Sequence, residues 1–451
     1  MTRLSKSGLF FLFLILVLIL PAFASENRGA PPIFSRTEDP IVIAGEKLQP
    51  LLNQEISLLG LFADRAGKLS PVPFQIDKKD KDGQYTLEMT KSGDKWQRNP
   101  ELPSSLKLEK NDEIVFRSRD LGEKASPDKW PSSQGLEIEV TDPVNQSKAY
   151  AYLLAFLEPA PRSPVDFIEF RPESSLFLSD ELSSKIPVFL NFLVFGRDPK
   201  SPNLFDRFKL RIGTSFLFGK IKVEKTEEDF QARLLAYTDG PIRVITIQEL
   251  RADLVAGVKS PWIKQVSISY PNRIDFPIEI HIPFRPGLII NEAHATNTFD
   301  FSENISGSIL YYPSLPAPLV VDGVMSPAEL NVPSDYPPWC ALAGKFGGIV
   351  TTLKYDDNVA QADIKKTFFY RDDRNYRDQF DNKPGSFGEM GIKITGMENL
   401  KGGVYRFRMV FYGRKNFKPG DEKEFLQIES HPLEAEIHFP EKPLTIKKGQ
   451  N

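Results

Sequence analysis

The sequence predicts an all-β protein, with an N-terminal β-sandwich module followed by a larger antiparallel β super-sandwich. Three observations carry this. Short segments with period-two alternation recur along the chain, turn dipeptides separate them, and hardly a helical period is found between them.

The alternation is clearest over residues 206–284. Phe208, Leu210 and Ile212 alternate with Lys209, Arg211 and Gly213, and Ile221 and Val223 alternate with Lys220, Lys222 and Glu224. That is the pattern of a half-buried strand. Phe230, Ala232, Leu234 and Ala236 form a third run, which Asp239-Gly240-Pro241 ends before residues 242–247 begin another. Asp-Gly signals a hairpin. Val266, Ile268 and Tyr270, then Phe276, Ile278, Ile280 and Ile282, continue the series, so five or six strands are expected to follow one another as a meander with one packed face and one wet face.

The chain opens with Arg3 and Lys6, an uncharged apolar run over 9–20, and Pro21-Ala22-Phe23-Ala24 before the polar Ser25-Glu26-Asn27. This is the tripartite pattern of a Sec signal peptide over 1–24, cleaved between Ala24 and Ser25. The apolar core is well short of the roughly 20 residues needed to span a bilayer. An exported, soluble protein without an integral anchor after cleavage is expected, periplasmic or extracellular. Cleavage removes two cations and no acids from a chain of net charge −3, so the mature protein is mildly acidic. Such a balance argues against a nucleic-acid partner, which calls for a clustered cationic face.

Cys340 is the single cysteine, so no intramolecular disulfide can form, and a c-type haem or thiolate zinc cage is excluded. Between Trp339 and Ala341 it reads as a small buried hydrophobe. No cofactor is expected.

Residues 25–40 are polar and proline-rich and read as a lead-in. A β-rich module is expected over 41–164, with extended segments at 71–77, 112–117, 136–140 and 149–156, and the large sandwich over 165–451. Asp77, Asp80 and Asp82 before Gly83 invite a calcium reading, but the loop positions that need acids at either end fall on Lys78 and Met89. A hairpin turn is expected there. Residues 187–195 have the length of a buried strand. Residues 284–339 read as irregular, with Pro313, Pro316, Pro318, Pro327, Pro333, Pro337 and Pro338. Strand patterns return at 349–354, 366–370, 404–412 and 433–437.

Val72-Pro73-Phe74-Gln75-Ile76-Asp77, with Asp112-Glu113-Ile114-Val115-Phe116, resembles the N-terminal module of certain secreted bacterial β-sandwich proteins, including some related to rhamnogalacturonan lyases. Asp239-Gly240-Pro241-Ile242-Arg243-Val244 is similar to a phrase of galactose-mutarotase-like super-sandwich domains. The resemblance implies a sandwich fold and carbohydrate as ligand class, and supplies no active site.

Four histidines are present. His281 and His438 fall on polar sides of strands, His431 precedes a proline, and His294 sits in a polar stretch read as a loop. If a histidine performs acid-base work it is His294, with Arg243 as a second catalytic candidate. Tyr370, Arg371, Asp373, Arg374 and Asp378, with Asp381 behind them, form a loop that suits polyol binding, against the plainer reading of charges paired among themselves. No metal site is assigned, and no Ser-His-Asp grouping, HExxH or P-loop is present. Two functions follow: a non-enzymatic binder of carbohydrate or a cell-envelope partner, and a carbohydrate-active enzyme such as a polysaccharide lyase.

Overall fold

The computed structural model describes residues 32–439 except 133, 217–218, 254–258, 261 and 381–383. The expected signal segment with its Ala24–Ser25 junction therefore lies outside the described residues. No helix among them is long and apolar enough to cross a membrane.

The strands in chain order are β1 (Pro40–Ala44), β2 (Leu59–Arg65), β3 (Lys68–Pro71), β4 (Gln75–Asp77), β5 (Met89–Ser92), β6 (Lys95–Arg98), β7 (Glu113–Arg117), β8 (Gln134–Thr141) and β9 (Lys148–Ala155). Next come β10 (Ile168–Arg171), β11 (Leu176–Ser179), β12 (Leu182–Lys185), β13 (Phe192–Phe195), β14 (Phe205–Phe216), β15 (Ile221–Thr226), β16 (Phe230–Asp239), β17 (Val244–Ala252), β18 (Ile263–Tyr270) and β19 (Arg273–Ile282). The remainder are β20 (Ile290–Phe301), β21 (Ser308–Tyr311), β22 (Leu319–Val321), β23 (Trp339–Gly344), β24 (Gly347–Tyr355), β25 (Lys365–Asp373), β26 (Ser386–Thr395), β27 (Gly403–Arg414) and β28 (Glu434–His438). The protein is all-β in class, with two short α-helices among the described residues, at Asp357–Ala360 and Glu422–Ser430.

The N-terminal sandwich faces the sheet β1-β7-β4 against the sheet β28-β8-β9-β2-β3. Between them Leu61, Ile114, Phe116, Ile138 and Leu153 are fully buried. The larger unit packs the sheet β15-β14-β20-β26-β25 onto a sheet of eleven strands ordered β22-β21-β23-β24-β27-β19-β18-β17-β16-β5-β6, with β10 to β13 as a further sheet of four. Phe205, Phe276, Phe299, Phe301 and Phe411 fill its core. Phe299 meets Phe411 edge-on at 4.6 Å between ring centroids, the arrangement favoured by the ring quadrupoles.

The structure revises several expectations. The meander over 206–284 is real only from β16 to β19; β14 and β15 belong to the opposite sheet. Residues 187–195 hold a strand only over Phe192–Phe195. The stretch 284–339 is not irregular throughout, since it contains β20, β21 and β22. The unit boundary near 164 is crossed twice: the β5–β6 hairpin joins β16 at Met89↔Tyr237, and β28 pairs with β8. The turn after Asp77 forms as expected, with Asp80 accepting hydrogen bonds from the amides of Asp82 and Gln84 at 2.9 Å each.

Candidate functional site

The five-stranded sheet positions the site. Residues directly opposite on neighbouring strands share a face, so the register places Lys209, Arg211 and Gly213 of β14 beside Thr298, Thr296 and His294 of β20. It continues to Gly391, Lys393 and Thr395 of β26, and then to Phe369, Thr367 and Lys365 of β25. The intervening residues Phe299, Met390, Phe368 and Tyr370 point into the core. One polar face thus turns away from the sandwich.

One end of that face is deeply buried. Lys209 Nζ lies 2.6 Å from Asp300 Oδ2 and 3.1 Å from Glu389 Oε2, and all three residues are under 5% exposed. The Thr298 hydroxyl donates to Glu389, and the amide of Phe387 donates to Asp300 at 2.8 Å. Burial pushes the Asp300 carboxyl up to about 6; Lys209 opposes this and Glu389 adds to it. Burial alone would lower the Lys209 ammonium, but Glu389 and Asp300 together hold it above the usual lysine value. Burial of the Asp300 carboxyl thus favours its protonated form.

The segment after β25 folds over the neighbouring part of the face. Asp378 Oδ2 is 3.2 Å from Arg211, which also pairs with Glu227 and lies 6.0 Å from the Phe380 ring. Arg371 stacks on Tyr376 at 3.6 Å and lies 5.2 Å from the Phe369 ring. Arg374 donates to the Asp322 carbonyl at 2.6 Å, and Asp373 accepts from the amide of Asn375. Among the described residues the expected self-paired charge network is therefore corrected: Asp378 pairs with Arg211 on β14, and Arg371 and Arg374 use rings and a carbonyl. Tyr370 is not a binding residue, because it is buried and donates its hydroxyl to Glu329 at 2.9 Å. Asp381 lies outside the described residues.

The other end of the face is open. His294 is on a central strand rather than in a loop, its side chain 37% exposed with Nε2 3.8 Å from Glu224 Oε1. The ring lies over Gly213, where a Cβ would stand 2.1 Å from its Cε1. Lys393 and Lys365 are exposed, and neither they nor Arg371 has an ion-pair partner among the described residues. His294 and Arg371 thus share a face. Lys209, Asp300, Glu389 and Lys393 were not singled out from the sequence, since each reads locally as the polar phase of a strand.

Arg243 lies elsewhere, fully buried between the N-terminal sandwich and the large sheet. Its guanidinium donates to Asp77 at 2.8 Å, to Glu113 at 2.7 Å and to the Tyr270 hydroxyl at 2.8 Å. Gln75 Oε1 accepts from the amides of Ile242 and Arg243, while its amide group donates to Asp77. Gly240 allows this closeness, because a Cβ there would stand 2.3 Å from Gln75 Oε1. The three phrases singled out above, around Gln75, Glu113 and Arg243, meet in one buried lock, and Arg243 is withdrawn as a catalytic candidate. Cys340 is buried too, its Sγ 2.8 Å from the Thr351 hydroxyl, and burial pushes the thiol up to about 11.

No protein-family description matches the chain, and no curated protein does. Among solved structures, an α-mannosidase from Enterococcus faecalis V583 aligns over 91% of this chain and 47% of its own, with 10% identity and a TM-score of 0.43. The chain thus spans about half the length of that enzyme. A protein described as an aldose 1-epimerase, from Escherichia coli K12, aligns over 54% of this chain and 97% of its own, with 10% identity and a TM-score of 0.29. Likenesses this distant bear on neither substrate nor activity.

Proposed function

We propose that the protein is exported and binds carbohydrate, with a preference for acidic sugars, on the outer face of the five-stranded sheet. The observation that carries the reading is the open end of that face. Among the described residues Lys393, Lys365 and Arg371 have no ion-pair partner, and they stand beside the hydroxyls of Thr296, Thr367 and Thr395 and the rings of Phe369 and Tyr376. Cations suit carboxylated sugars, rings offer apolar stacking surface, and a central sheet face holds both rigidly. Binding is favoured over catalysis because, among the described residues, the ion-pair partner of His294 is the exposed Glu224, and Asp300, an acid of this face with a raised pKa, is sealed under side chains.

The test is titration calorimetry of the mature chain, beginning at Ser25, with uronate-containing and neutral oligosaccharides. Acidic oligomers are expected to bind, and Lys393→Ala with Arg371→Ala to weaken them at least tenfold at an unchanged melting temperature. Equal binding of the double variant would remove the reading. Turnover of an oligosaccharide that disappears in His294→Ala would replace it with the enzyme.

A further inference from the structure

A second cluster lies on the outer face of the N-terminal sandwich, where β8 meets β28. Their register sets Glu137 opposite His438 and Glu139 opposite Glu436. Ile138, Val140, Ala435 and Ile437 of the same strands point into the core, so period-two alternation sends the acids and the imidazole outward together. One carboxylate oxygen each from Glu137 and Glu139 and one ring nitrogen of His438 lie within 4.8 Å of one another.

The partners of these groups are unequal. His438 Nε2 is buried and makes no hydrogen bond; its nearest carboxylate oxygen, on Glu139, is 3.8 Å away. The His438 side chain as a whole is 39% exposed, yet this nitrogen is shut from water without a partner, an unfavourable state. Glu137 and Glu139 are 8% and 9% exposed, and each is neutralised by a lysine that reaches in from solvent. Lys124 stands 2.9 Å from Glu137 and is 59% exposed, and Lys148, on Glu139, is 52% exposed. Such lysines can swing into water at little cost.

We infer that Glu137, Glu139 and His438 form a binding site for a divalent cation of the zinc class. Two carboxylate oxygens and one imidazole nitrogen are a donor set for Zn²⁺ or its neighbours, whereas Ca²⁺ takes about six to eight oxygens and no nitrogen. Ligand atoms bound at about 2.0–2.2 Å surround a metal about 3–4 Å from one another. The present spacing needs a contraction that glutamate rotamers supply as the lysines leave. Water and Glu436, opposite Glu139, would complete the shell. The metal would join β8 to β28.

The test uses the metal-stripped mature chain, titrated with Zn²⁺ by calorimetry and with Cu²⁺ followed by electron paramagnetic resonance. One equivalent of Zn²⁺ is expected, with a melting temperature that rises on addition and returns with EDTA. The Cu²⁺ spectrum should carry hyperfine coupling from a single imidazole nitrogen. His438→Ala and Glu139→Gln should each weaken Zn²⁺ at least tenfold. His281→Ala, which removes a surface imidazole bonded to Glu279 at 2.7 Å, should leave binding unchanged. Absence of saturable binding, a spectrum without nitrogen coupling, or Zn²⁺ affinity that survives His438→Ala in a folded variant would overturn the assignment.

Discussion

Replacing Arg243 by methionine tests how the two units are joined. Methionine retains much of the apolar stem and removes the guanidinium, with its bonds to Asp77, Glu113 and Tyr270. Asp77 is only 3% exposed and keeps one side-chain partner, Gln75, at 2.7 Å. Its carboxyl is already pushed above the usual range by burial, with the Arg243 charge as the main opposing influence. Leaving such a carboxylate alone costs about 3–5 kcal/mol, the penalty for breaking a buried ion pair. The assay is urea unfolding at pH 7, read by fluorescence, where the midpoint should fall by the equivalent of that energy. Adding Asp77→Asn removes the stranded charge while keeping an amide for Gln75. The double variant should therefore be more stable than Arg243→Met alone, with a coupling of about 0.5–3 kcal/mol. A loss under about 1 kcal/mol for Arg243→Met, or a double variant no better than the single, would refute the lock. So would a loss of sugar binding without any loss of stability.

The buried Lys209–Asp300–Glu389 group predicts a pH effect. With the Asp300 carboxyl raised to about 6 from 3.8, the folded state holds a proton between about pH 4 and 6 that the unfolded chain has lost. The contribution of this group to stability therefore grows as pH falls from 7 toward 4, by up to about 3 kcal/mol. Melting curves of the parent and Asp300→Asn should diverge at pH 7 and converge near pH 5; parallel curves would contradict this. Gly240→Ala should cost about 2 kcal/mol in urea unfolding by pushing Gln75 off the amides of Ile242 and Arg243. Cys340 should resist a thiol reagent in the native protein and react once in denaturant, because the thiol is 4% exposed. Cys340→Ser should cost about 1 kcal/mol or more and leave ligand binding intact.

The strands with a strong apolar phase were legible in the sequence, including β14 to β19 and β24, because alternation of large apolar and polar residues marks a half-buried strand. Strand β20 was not. Its early inward residues are Ala293, Ala295 and Asn297, too small or too polar to show a phase, so a central strand carrying His294 reads as a polar loop. Strand β26 is masked likewise by Gly388 and Gly391. Alternation also says nothing about which strand is the neighbour, and this is why β14 and β15 could be read into the meander of the opposite sheet. The candidate site was half legible. His294 and Arg371 stood out, but Lys209, Asp300 and Glu389 come from three strands and acquire meaning only in register. Arg243 shows the reverse case, where a residue in a familiar phrase serves the joint between units.

The pairing of β28 with β8 also orders events in time. Residues 434–438 must find residues made about three hundred positions earlier, and until they do, β8 presents an open edge with its backbone donors and acceptors unpaired. The N-terminal sandwich can collapse around its own core while the chain is still emerging, yet its sheet is finished only by β28, a closure of long range and therefore slow. A chain stopped short of Glu434 would keep that edge free to pair with another copy. Arrival of β28 and protection of the β8 edge are thus a single step in this molecule.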